Sequence, residues 1–224
     1  MTQSIMLTRQ RPSSTVEPAA TGAEPGDGRG LILDTAARLF REEGYAATSL
    51  RDIAAECGMK AGSLYYHFAS KDAIIAEVLR IGVERVADHV RQSVLALPPD
   101  ADARTLLHTA VRAHLSALLE LHDYTSANVR IFGQVPTAVR DAHIATRDAY
   151  ERFWTKLLRR CARSGGWDKR RKIGLTRLFL INALNGSLEW FTDGRSTVEQ
   201  LAHELTELFL DGLNTRFPVV GRKP

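Results

Sequence analysis

The sequence predicts an all-α protein in which a small N-terminal helical unit precedes a larger helical body. Apolar residues recur three and four positions apart from Leu31 onward, the spacing of one buried helix face. No segment alternates between apolar and polar residues over a useful length, so we expect no sheet. Clusters of Gly, Pro and Ser interrupt the periodic stretches and separate the predicted helices.

Composition is that of an ordinary globular protein, with 44% hydrophobic and 25% charged residues among 224. The formal net charge of +4 permits a nucleic-acid partner but does not establish one. The two cysteines, Cys57 and Cys161, are too far apart in sequence to form a Cys-x-x-Cys pair, so we expect no disulfide framework. No apolar run has the length of a signal peptide or membrane span, which favours a cytoplasmic protein.

Both ends of the chain are predicted to be tails. Residues 1–29 are rich in Ser, Thr, Pro, Gly and Ala without periodicity, which predicts a flexible tail, and residues 216–224 form a short C-terminal one. Arg9, Arg11 and Arg29 could touch phosphates or a minor groove, although three acidic residues in the same stretch weaken that interpretation. The alternative is a disordered leader with no role.

The first helix is indicated by Leu33, Ala36 and Phe40 at helix spacing. Gly44 is expected to end it, with Tyr45 in the hydrophobic contact that commonly follows a helix C-terminus.

The second helix is expected to begin after a cap at Thr48 or Ser49, and Asp52 stands three residues beyond Ser49 in a capping-box arrangement. Gly58 is predicted to form a sharp turn before a third, short helix.

The third helix resembles a recognition helix in its distribution of side chains. If Leu64 and Phe68 face the core, the helical step turns Gly62, Ser63 and Tyr66 outward. Small residues at 61–63 would let this helix approach the floor of a major groove. The alternative is a corner of an α protein in which three small helices simply pack together.

Ser70 is expected to cap a long helix that runs from Lys71 to about Leu97. Lys71 would add a cation beside free backbone N–H groups, where a phosphate can bind. Further helices are predicted at roughly 101–122, 124–132, 137–163, 168–191 and 197–213. Ser196 and Glu199 form a predicted capping box for the last helix.

These helices divide the chain into two predicted domains: residues 30–75, with the dimensions of a helix-turn-helix, and residues 76–215, a body of about six helices. Between Gly30 and Asp72 there are five Lys or Arg against six Asp or Glu. Any DNA binding must therefore depend on where the charges are placed.

The stretch "TSLRDIAAECGMKAGSLYYHFASKDAII", Thr48 to Ile75, resembles the DNA-binding signature of the TetR family of bacterial regulators. The preceding "ILDTAARLFREEGYAAT" is similar to the first helix of that family. The resemblance implies a dimeric repressor that binds a pseudo-palindromic operator and is released by a small-molecule effector. It makes residues 30–75 the helix-turn-helix DNA-binding domain and residues 76–215 the ligand-binding and dimerisation domain.

By that resemblance, ten residues occupy positions where family members contact DNA. They are Thr48, Arg51, Lys60, Ala61, Gly62, Ser63, Tyr65, Tyr66, His67 and Lys71. Many relatives have Ser or Thr where this chain has Lys60, so the capping bond is in doubt while a basic contact is gained. No side chain at 61–63 can make a bidentate base contact, so specificity would depend on Lys60, Ser63, Tyr65 and DNA shape.

The last two predicted helices carry apolar residues at a 3–4 spacing, including Leu184 and Leu188 in one and Leu201, Leu205 and Leu208 in the other. Two such helices from each subunit would form a four-helix interface. Alternatively, both helices face their own core.

Candidates for a ligand pocket are apolar, aromatic or amide residues on the body helices. They are Leu115, Leu119, Phe132, Tyr150, Phe153, Trp154, Asn182, Asn185 and Trp190. Core packing is the alternative for each of them. Asn182 and Asn185 are the most informative, because they are polar residues at i, i+3 on an otherwise apolar helix and would need partners if buried.

One dense basic cluster lies in the body. Its members are Lys156, Arg159, Arg160, Arg163, Lys169, Arg170, Arg171 and Lys172, opposed only by Asp168. A solvated surface is one interpretation, and an anion site at the mouth of the pocket is the other. The segment from Asn182 to Ala202 is similar to TetR-type regulators of fatty-acid and steroid breakdown, which respond to acyl-CoA thioesters, and a CoA phosphate would suit the cluster.

Other classes of function are disfavoured, and we expect no enzyme activity, no cofactor and no metal. Histidines 108, 114, 122 and 143 show no convincing metal-ligand spacing with acids, and Cys57 is expected in the core of the helix-turn-helix. A structural or membrane-surface helical protein would need a basic helix with a strongly apolar face, which the chain lacks.

Overall fold

A computed structural model describes residues 28–120, 123–165, 167, 172–192 and 194–214. Within these ranges all regular elements are α-helices, which confirms the predicted fold class. The helices are α1 (Gly28–Glu43), α2 (Leu50–Glu56), α3 (Ala61–His67), α4 (Lys71–Leu95), α5 (Ala103–Leu119), α6 (Asp123–Ile131), α7 (Thr137–Ser164), α8 (Ile173–Trp190) and α9 (Val198–Asn214).

Some helix boundaries differ from those predicted. α1 begins at Gly28, so Gly28 and Arg29 are helical and do not belong to the tail. The Arg29 guanidinium lies 3.0 Å from a carboxylate oxygen of Glu77 and 4.9 Å from the centroid of the Phe68 ring. Arg29 therefore packs against its own fold. The remaining predicted tail residues, 1–27 and 216–224, lie outside the described residues.

Side-chain caps start several helices where the sequence places a Ser or Asp. The Ser70 hydroxyl accepts a hydrogen bond from the Ala73 amide at 3.1 Å at the start of α4. At the start of α5, the Asp102 carboxylate accepts one from the Thr105 amide at 2.7 Å. Each bond satisfies a backbone donor that has no partner within the helix.

The capping box of α9 lies one residue later than predicted. The Thr197 amide donates to the Gln200 side-chain oxygen at 2.9 Å, and the Thr197 hydroxyl accepts from the Gln200 amide at 3.1 Å. The predicted box of Ser196 and Glu199 is therefore wrong. Glu199 is engaged elsewhere, because the Arg112 guanidinium on α5 donates to its carboxylate at 2.5 Å.

The core consists of two apolar clusters. The first joins α1, α2, α3 and the N-terminal half of α4 to α6 and the first turn of α7, around side chains such as Phe40, Ile53, Leu64 and Ile131. It therefore continues past the predicted domain boundary at residues 75 and 76. Helices that are distant in sequence thus hold the N-terminal unit in place.

The second cluster fills the body, where α5 packs against α4, α7, α8 and α9. Trp154, Leu107 and Leu184 are completely buried in it. α4 contributes to both clusters, through Ile75 and Leu79 to the first and through Val90 to the second. This single helix of 25 residues therefore connects the N-terminal unit to the body.

Candidate nucleic-acid interface and internal cavity

α2 is positioned by a capping box. The Ser49 hydroxyl accepts a hydrogen bond from the Asp52 amide at 3.2 Å, and the Ser49 amide donates to the Asp52 carboxylate at 2.8 Å. These bonds from Ser49 hold the pKa of the Asp52 carboxyl below its usual range. Gly58, at φ 65°, then turns the chain toward α3 with a left-handed backbone conformation that glycine adopts without strain. The cap predicted at Ser49 and the turn predicted at Gly58 are confirmed.

α3 buries one side and exposes the other. Leu64 is fully buried and Phe68, just past the helix, is 5% exposed. The exposed residues are Ala61, Gly62, Ser63, Tyr65 and Tyr66. Tyr66 is 88% exposed. A seven-residue helix thus presents small residues in its first turn and two phenol rings in its second.

Two exposed cations flank this surface, Arg51 on α2 and Lys60 just before α3. Lys60 occupies the N-cap position of α3 without a side-chain capping bond. Acidic side chains nearby are neutralised locally, since the Arg38 guanidinium lies 2.5 Å from the Glu56 carboxylate and 3.3 Å from that of Glu42. The exposed surface formed by α2 and α3 therefore favours binding of an anion more strongly than the net charge of the N-terminal unit suggests.

Two of the ten residues predicted to contact DNA make hydrogen bonds to backbone carbonyl oxygens within the fold. Thr48 is completely buried, and its hydroxyl donates to the Gly44 carbonyl oxygen at 2.9 Å. The Lys71 ammonium donates to the carbonyl oxygens of Tyr45 at 2.7 Å and Thr48 at 2.9 Å, and it lies 4.1 Å from the centroid of the Tyr45 ring. The structure therefore engages two of the three Lys71 N–H groups in the loop between α1 and α2.

The same loop is held by a second contact with the first turn of α4. The Tyr45 hydroxyl donates to the Asp72 carboxylate, and burial together with this bond raises the pKa of Tyr45 to about 12. Residues 71 and 72 thus attach the start of α4 to the loop that precedes α2. Any change in the direction of α4 must move this loop or break these bonds.

His67 lies between the exposed surface and the core. It is half-buried, and its ring meets the Tyr66 ring edge-on at 5.3 Å. The start of α1 covers its other side, because a Cβ at Gly28 would lie 3.0 Å from His67 Nε2. Of the ten predicted residues, all except Thr48 are exposed or half-exposed, and eight of these nine lie on α2, on α3 or immediately before α3.

An internal cavity of about 300 Å³ opens among α4, α5, α6, α7 and α8. Apolar side chains make up one part of its wall and polar ones the other. The lining residues are Gly82, Val83, Val86, His114, Leu118, Thr125, Asn128, Val129, Phe132, Gly133, Arg147, Tyr150, Glu151, Ile181, Asn182 and Asn185. This volume is at the lower end of the range for small-molecule sites.

Four of the nine predicted pocket residues line the cavity: Phe132, Tyr150, Asn182 and Asn185. The other five do not. Leu115 and Trp154 are completely buried in the core of the body, and Leu119 and Phe153 pack against it. Trp190, at the end of α8, is 60% exposed on the surface. Helix periodicity identified buried faces, but it did not separate side chains that meet other side chains from those that meet a void.

Sequence reasoning missed several polar lining residues, above all His114, Asn128 and Arg147. A signal for His114 was present, because it lies among apolar residues on α5 at helix spacing from Leu107, Ala110 and Leu118. A histidine on such a face must be buried and must find partners.

His114 has both of those partners. Its Nδ1 lies 2.8 Å from the Tyr150 hydroxyl oxygen, and its Nε2 lies 3.1 Å from the Asn185 side-chain oxygen. Burial lowers the pKa of His114 to about 4 and raises that of Tyr150 well above its usual range. At neutral pH, the cavity wall therefore carries an uncharged phenol–imidazole–amide chain.

The charged groups of the cavity wall are on α7. The Arg147 guanidinium lies 4.3 Å from the centroid of the Phe132 ring, and the Glu151 carboxylate lies 2.8 Å from the Arg177 guanidinium on α8. The predicted anion site at the mouth of the pocket is not supported by the described members of the basic cluster, Lys156, Arg159, Arg160, Arg163 and Lys172, because none of them lines the cavity. Residues 168–171 lie outside the described residues.

Large apolar side chains are exposed on α8 and on α9. Leu175, Leu178, Phe179 and Leu208 are between 43% and 69% exposed. The three on α8 stand at positions i, i+3 and i+4 of one helix, and clustered exposure of this kind is characteristic of a surface that is covered in an assembly.

The described residues include neither a group of metal-binding side chains nor a cysteine whose thiol pKa is lowered. No group of three or more His, Cys, Asp or Glu side chains among them could hold a metal ion. Burial raises the pKa of the Cys161 thiol to about 12 and also raises that of Cys57. Within the described ranges no helix is long and apolar enough to cross a membrane.

Two family models match the chain. Residues 32–78 match the model for bacterial regulatory proteins of the tetR family, and residues 100–213 match the tetracyclin repressor-like C-terminal domain. The first region covers the helices that carry the candidate nucleic-acid interface, and the second covers the helices from α5 to α9.

Individual proteins resemble the chain over most of its length. The HTH-type transcriptional repressor KstR2 of Rhodococcus jostii is 27% identical over 201 residues, which is 89% of this chain and 97% of that protein. The structure of the ketosteroid transcriptional regulator KstR2 of Mycobacterium tuberculosis aligns with a TM-score of 0.65 at 24% identity, over 84% and 95% of the two chains. That of AibR with isovaleryl coenzyme A and operator DNA aligns with a TM-score of 0.68 at 22% identity, over 83% and 97%.

Proposed function

The chain belongs to the TetR family of bacterial regulatory proteins, and from that premise we propose that it represses transcription by binding a pseudo-palindromic operator as a homodimer. A small molecule in the internal cavity releases it. The observation that carries the proposal is the exposed face of α3, where three small residues precede two exposed phenol rings beside Arg51 and Lys60.

In this proposal α3 enters the major groove with its first turn. Ala61 and Gly62 allow close approach to the base edges, and Ser63 offers a hydroxyl there. Arg51 and Lys60 contact phosphates, and Tyr65 and Tyr66 reach backbone oxygens at the rim of the groove. Thr48 and Lys71 take no direct part, because their polar atoms are bonded within the loop that precedes α2.

The homodimer forms through the apolar surface of α8 and α9. A second copy would cover Leu178, Phe179 and Leu208, and it would bring two α3 helices to one side of the assembly. Two such helices about one DNA turn apart match a pseudo-palindrome.

The cavity communicates with the DNA-binding surface through α4. Gly82, Val83 and Val86 line the cavity, and Lys71 at the start of the same helix holds the loop before α2. Gly82 lies eleven positions beyond Lys71, which corresponds to about 16 Å along a rigid helix. A ligand that binds more tightly to a conformation in which α4 has a different direction shifts the population away from the DNA-binding conformation.

An acyl-CoA thioester is the effector class that we propose. AibR, which shares the fold, has been crystallised in complex with isovaleryl coenzyme A and operator DNA, and KstR2 of M. tuberculosis is a ketosteroid transcriptional regulator. A cavity of about 300 Å³ would accept the acyl part alone, so the coenzyme would extend outside it.

The test is operator binding measured by fluorescence anisotropy, with DNA from upstream of the protein's own gene. Tyr66→Ala should weaken binding at least tenfold, because Tyr66 is 88% exposed and contributes little to the core. The matched control is Ile144→Ala on α7, which also removes an exposed large side chain and should not change affinity. Unchanged affinity of Tyr66→Ala would refute the proposed interface.

A further inference from the structure

Arg147 of α7 brings a positive charge to the wall of the internal cavity. Its side chain is half-buried, and its guanidinium carbon lies 4.3 Å from the centroid of the Phe132 ring, which lines the same cavity. An aromatic ring attracts a cation but offers no oxygen to the N–H donors of a guanidinium. The ring contact therefore locates the charge at the cavity and leaves its hydrogen bonds unmade.

No carboxylate of the protein takes up these donors. Among the described residues, Arg147 has no ion-pair partner and donates no hydrogen bond. Glu151 lies one helical turn further along α7 and also lines the cavity, but its carboxylate lies 2.8 Å from the Arg177 guanidinium on α8. The acidic side chain nearest in sequence on this face of α7 is thus neutralised by a different cation.

The buried histidine beside Arg147 adds no compensating charge. His143 is 4% exposed, and its ring centroid lies 5.8 Å from that of Phe132. Burial, together with the positive charge of Arg147, lowers the pKa of His143 to about 4. At neutral pH this imidazole is therefore uncharged and offers no partner for a cation.

The described part of the cavity wall thus retains one positive charge. The pair of Glu151 and Arg177 is neutral as a whole, and the chain of Tyr150, His114 and Asn185 carries no charge. A cation held against apolar surface is favourable only when an anion or water meets it. The wall is therefore electrostatically suited to a ligand with a single negative charge.

We propose that the effector carries a carboxylate inside the cavity, and that Arg147 holds this carboxylate through charge-assisted hydrogen bonds. The planar fork of a guanidinium matches the two oxygens of a carboxylate and binds them with parallel N–H···O bonds. A phosphate monoester carries about two negative charges and would leave one of them without a partner in this wall. The inference rests on the proposed function in taking this cavity as the effector site.

The remainder of the wall suits a short or compact carbon skeleton. Val83 and Val86 from α4, Leu118 from α5 and Ile181 from α8 supply apolar surface. With a volume of about 300 Å³, the cavity limits the length of the skeleton that can accompany the carboxylate.

Such a carboxylate has two chemical sources. One is a free carboxylic acid. The other is a dicarboxylic acid bound as its coenzyme A thioester, with the free carboxylate at Arg147 and the coenzyme outside the cavity.

The test is titration calorimetry with the full chain, without DNA, at pH 7.5. Octanoate is compared with octanamide, which has nearly the same shape but no charge. We expect octanoate to bind at least tenfold more tightly. Adipoyl-CoA and hexanoyl-CoA then identify the source: tighter binding of adipoyl-CoA assigns the carboxylate to a thioester, and an octanoate preference without that advantage assigns it to a free acid.

Variants attribute the preference to Arg147. Arg147→Gln should reduce the ratio of octanoate to octanamide affinity to near one, and Arg147→Lys, which keeps the charge but not the planar fork, should retain part of it. Arg152→Gln removes an exposed positive charge from the same helix at a position that does not line the cavity, and it should keep the full preference. Thermal unfolding of each variant verifies that it is folded.

Three results would overturn the proposal. They are failure of octanoate to bind, equal affinity of the wild type for octanoate and octanamide, and persistence of the preference in Arg147→Gln. Operator affinity of the same samples is measured separately. A chain that binds the operator but shows no octanoate preference would refute this inference alone, and a chain with the preference but no operator binding would refute the proposed function.

Discussion

Gly82 of α4 lies directly against the backbone of Tyr124 of α6, so closely that a Cβ at position 82 would stand 2.3 Å from the Tyr124 carbonyl oxygen. Real side chains do not make such a contact with backbone, so either α4 or α6 would have to move. The same glycine lines the cavity, and α6 packs with α1 in the first apolar cluster. This contact therefore links the cavity, α4 and the N-terminal unit.

Gly82→Ala should lower the free energy of unfolding by about 1–3 kcal/mol, because a methyl group has no space between the two backbones. It should also weaken operator binding, since any displacement of α4 moves the loop held by Lys71. Urea denaturation and fluorescence anisotropy measure the two effects. Gly62→Ala on α3 is the control for stability, because a Cβ there meets no atom within 4 Å. A Gly82→Ala variant as stable as the wild type would mean that α4 and α6 are farther apart than the contact between Gly82 and Tyr124 indicates.

Lys71→Met should weaken operator binding without changing its salt dependence. The ammonium of Lys71 holds carbonyl oxygens of the loop before α2, so its loss disorders the DNA-binding unit but removes no phosphate contact. Loss of these charged hydrogen bonds should also cost about 1–3 kcal/mol of stability.

Lys60→Met provides the comparison for Lys71→Met, because Lys60 is exposed beside α3. It should leave stability unchanged and reduce the slope of log affinity against log salt by about 0.9, the value for one phosphate contact. The measurement is a salt titration of anisotropy for both variants. A slope reduced in Lys71→Met would instead place its ammonium on a phosphate.

Glu77→Gln should make the free energy of unfolding less dependent on pH in the acid range. The Arg80 guanidinium, with a smaller contribution from Arg29, lowers the pKa of the Glu77 carboxyl from 4.5 to about 2. Because the folded-state pKa is depressed, the stabilisation is fully present above about pH 4.5 and is lost as the pH falls toward 2. The wild type should therefore be more stable than the variant at pH 7, and the difference should shrink below pH 4.5.

Urea midpoints at pH 7, 4.5 and 3 measure this difference. Glu43→Gln is the control, since Glu43 is exposed at the end of α1 and has no ion-pair partner among the described residues. A constant difference between wild type and Glu77→Gln at all three pH values would show that the carboxylate charge does not stabilise the fold.

Phe179→Glu should convert the protein to a monomer. Phe179 is 68% exposed on α8 in the single chain, and a carboxylate there would be desolvated by a second copy. Sedimentation velocity measures the mass, and operator affinity should fall together with dimerisation. Leu95→Glu, at the end of α4, changes an apolar side chain that is 80% exposed and should leave the dimer intact. Dimers formed by Phe179→Glu would exclude this surface as the interface.

Local features of the fold were predictable from the sequence. Ser49 and Asp52 form the expected box, Gly58 makes the expected turn, and Leu64 and Phe68 face the core. Each of these features depends on residues within four positions of one another, so local spacing is sufficient to identify it.

Features that depend on distant partners were less predictable. Ser196 and Glu199 satisfy the capping-box pattern as well as Thr197 and Gln200 do, but Arg112 on α5 engages Glu199. Sequence spacing contains no information about α5 at that point, and the choice between two overlapping boxes depends on the packed structure.

The helical class of the chain, the positions of most helix ends and the exposed face of α3 all follow from the order of the residues. Packing was needed to show that Lys71 supports a loop, that Trp154 belongs to the core, and that His114 joins Tyr150 and Asn185 at a cavity. The reason is physical, because hydrophobic periodicity along one helix records that a face is buried but not what it meets. A cavity and its hydrogen bonds arise only where several helices, far apart in sequence, fail to fill the space between them.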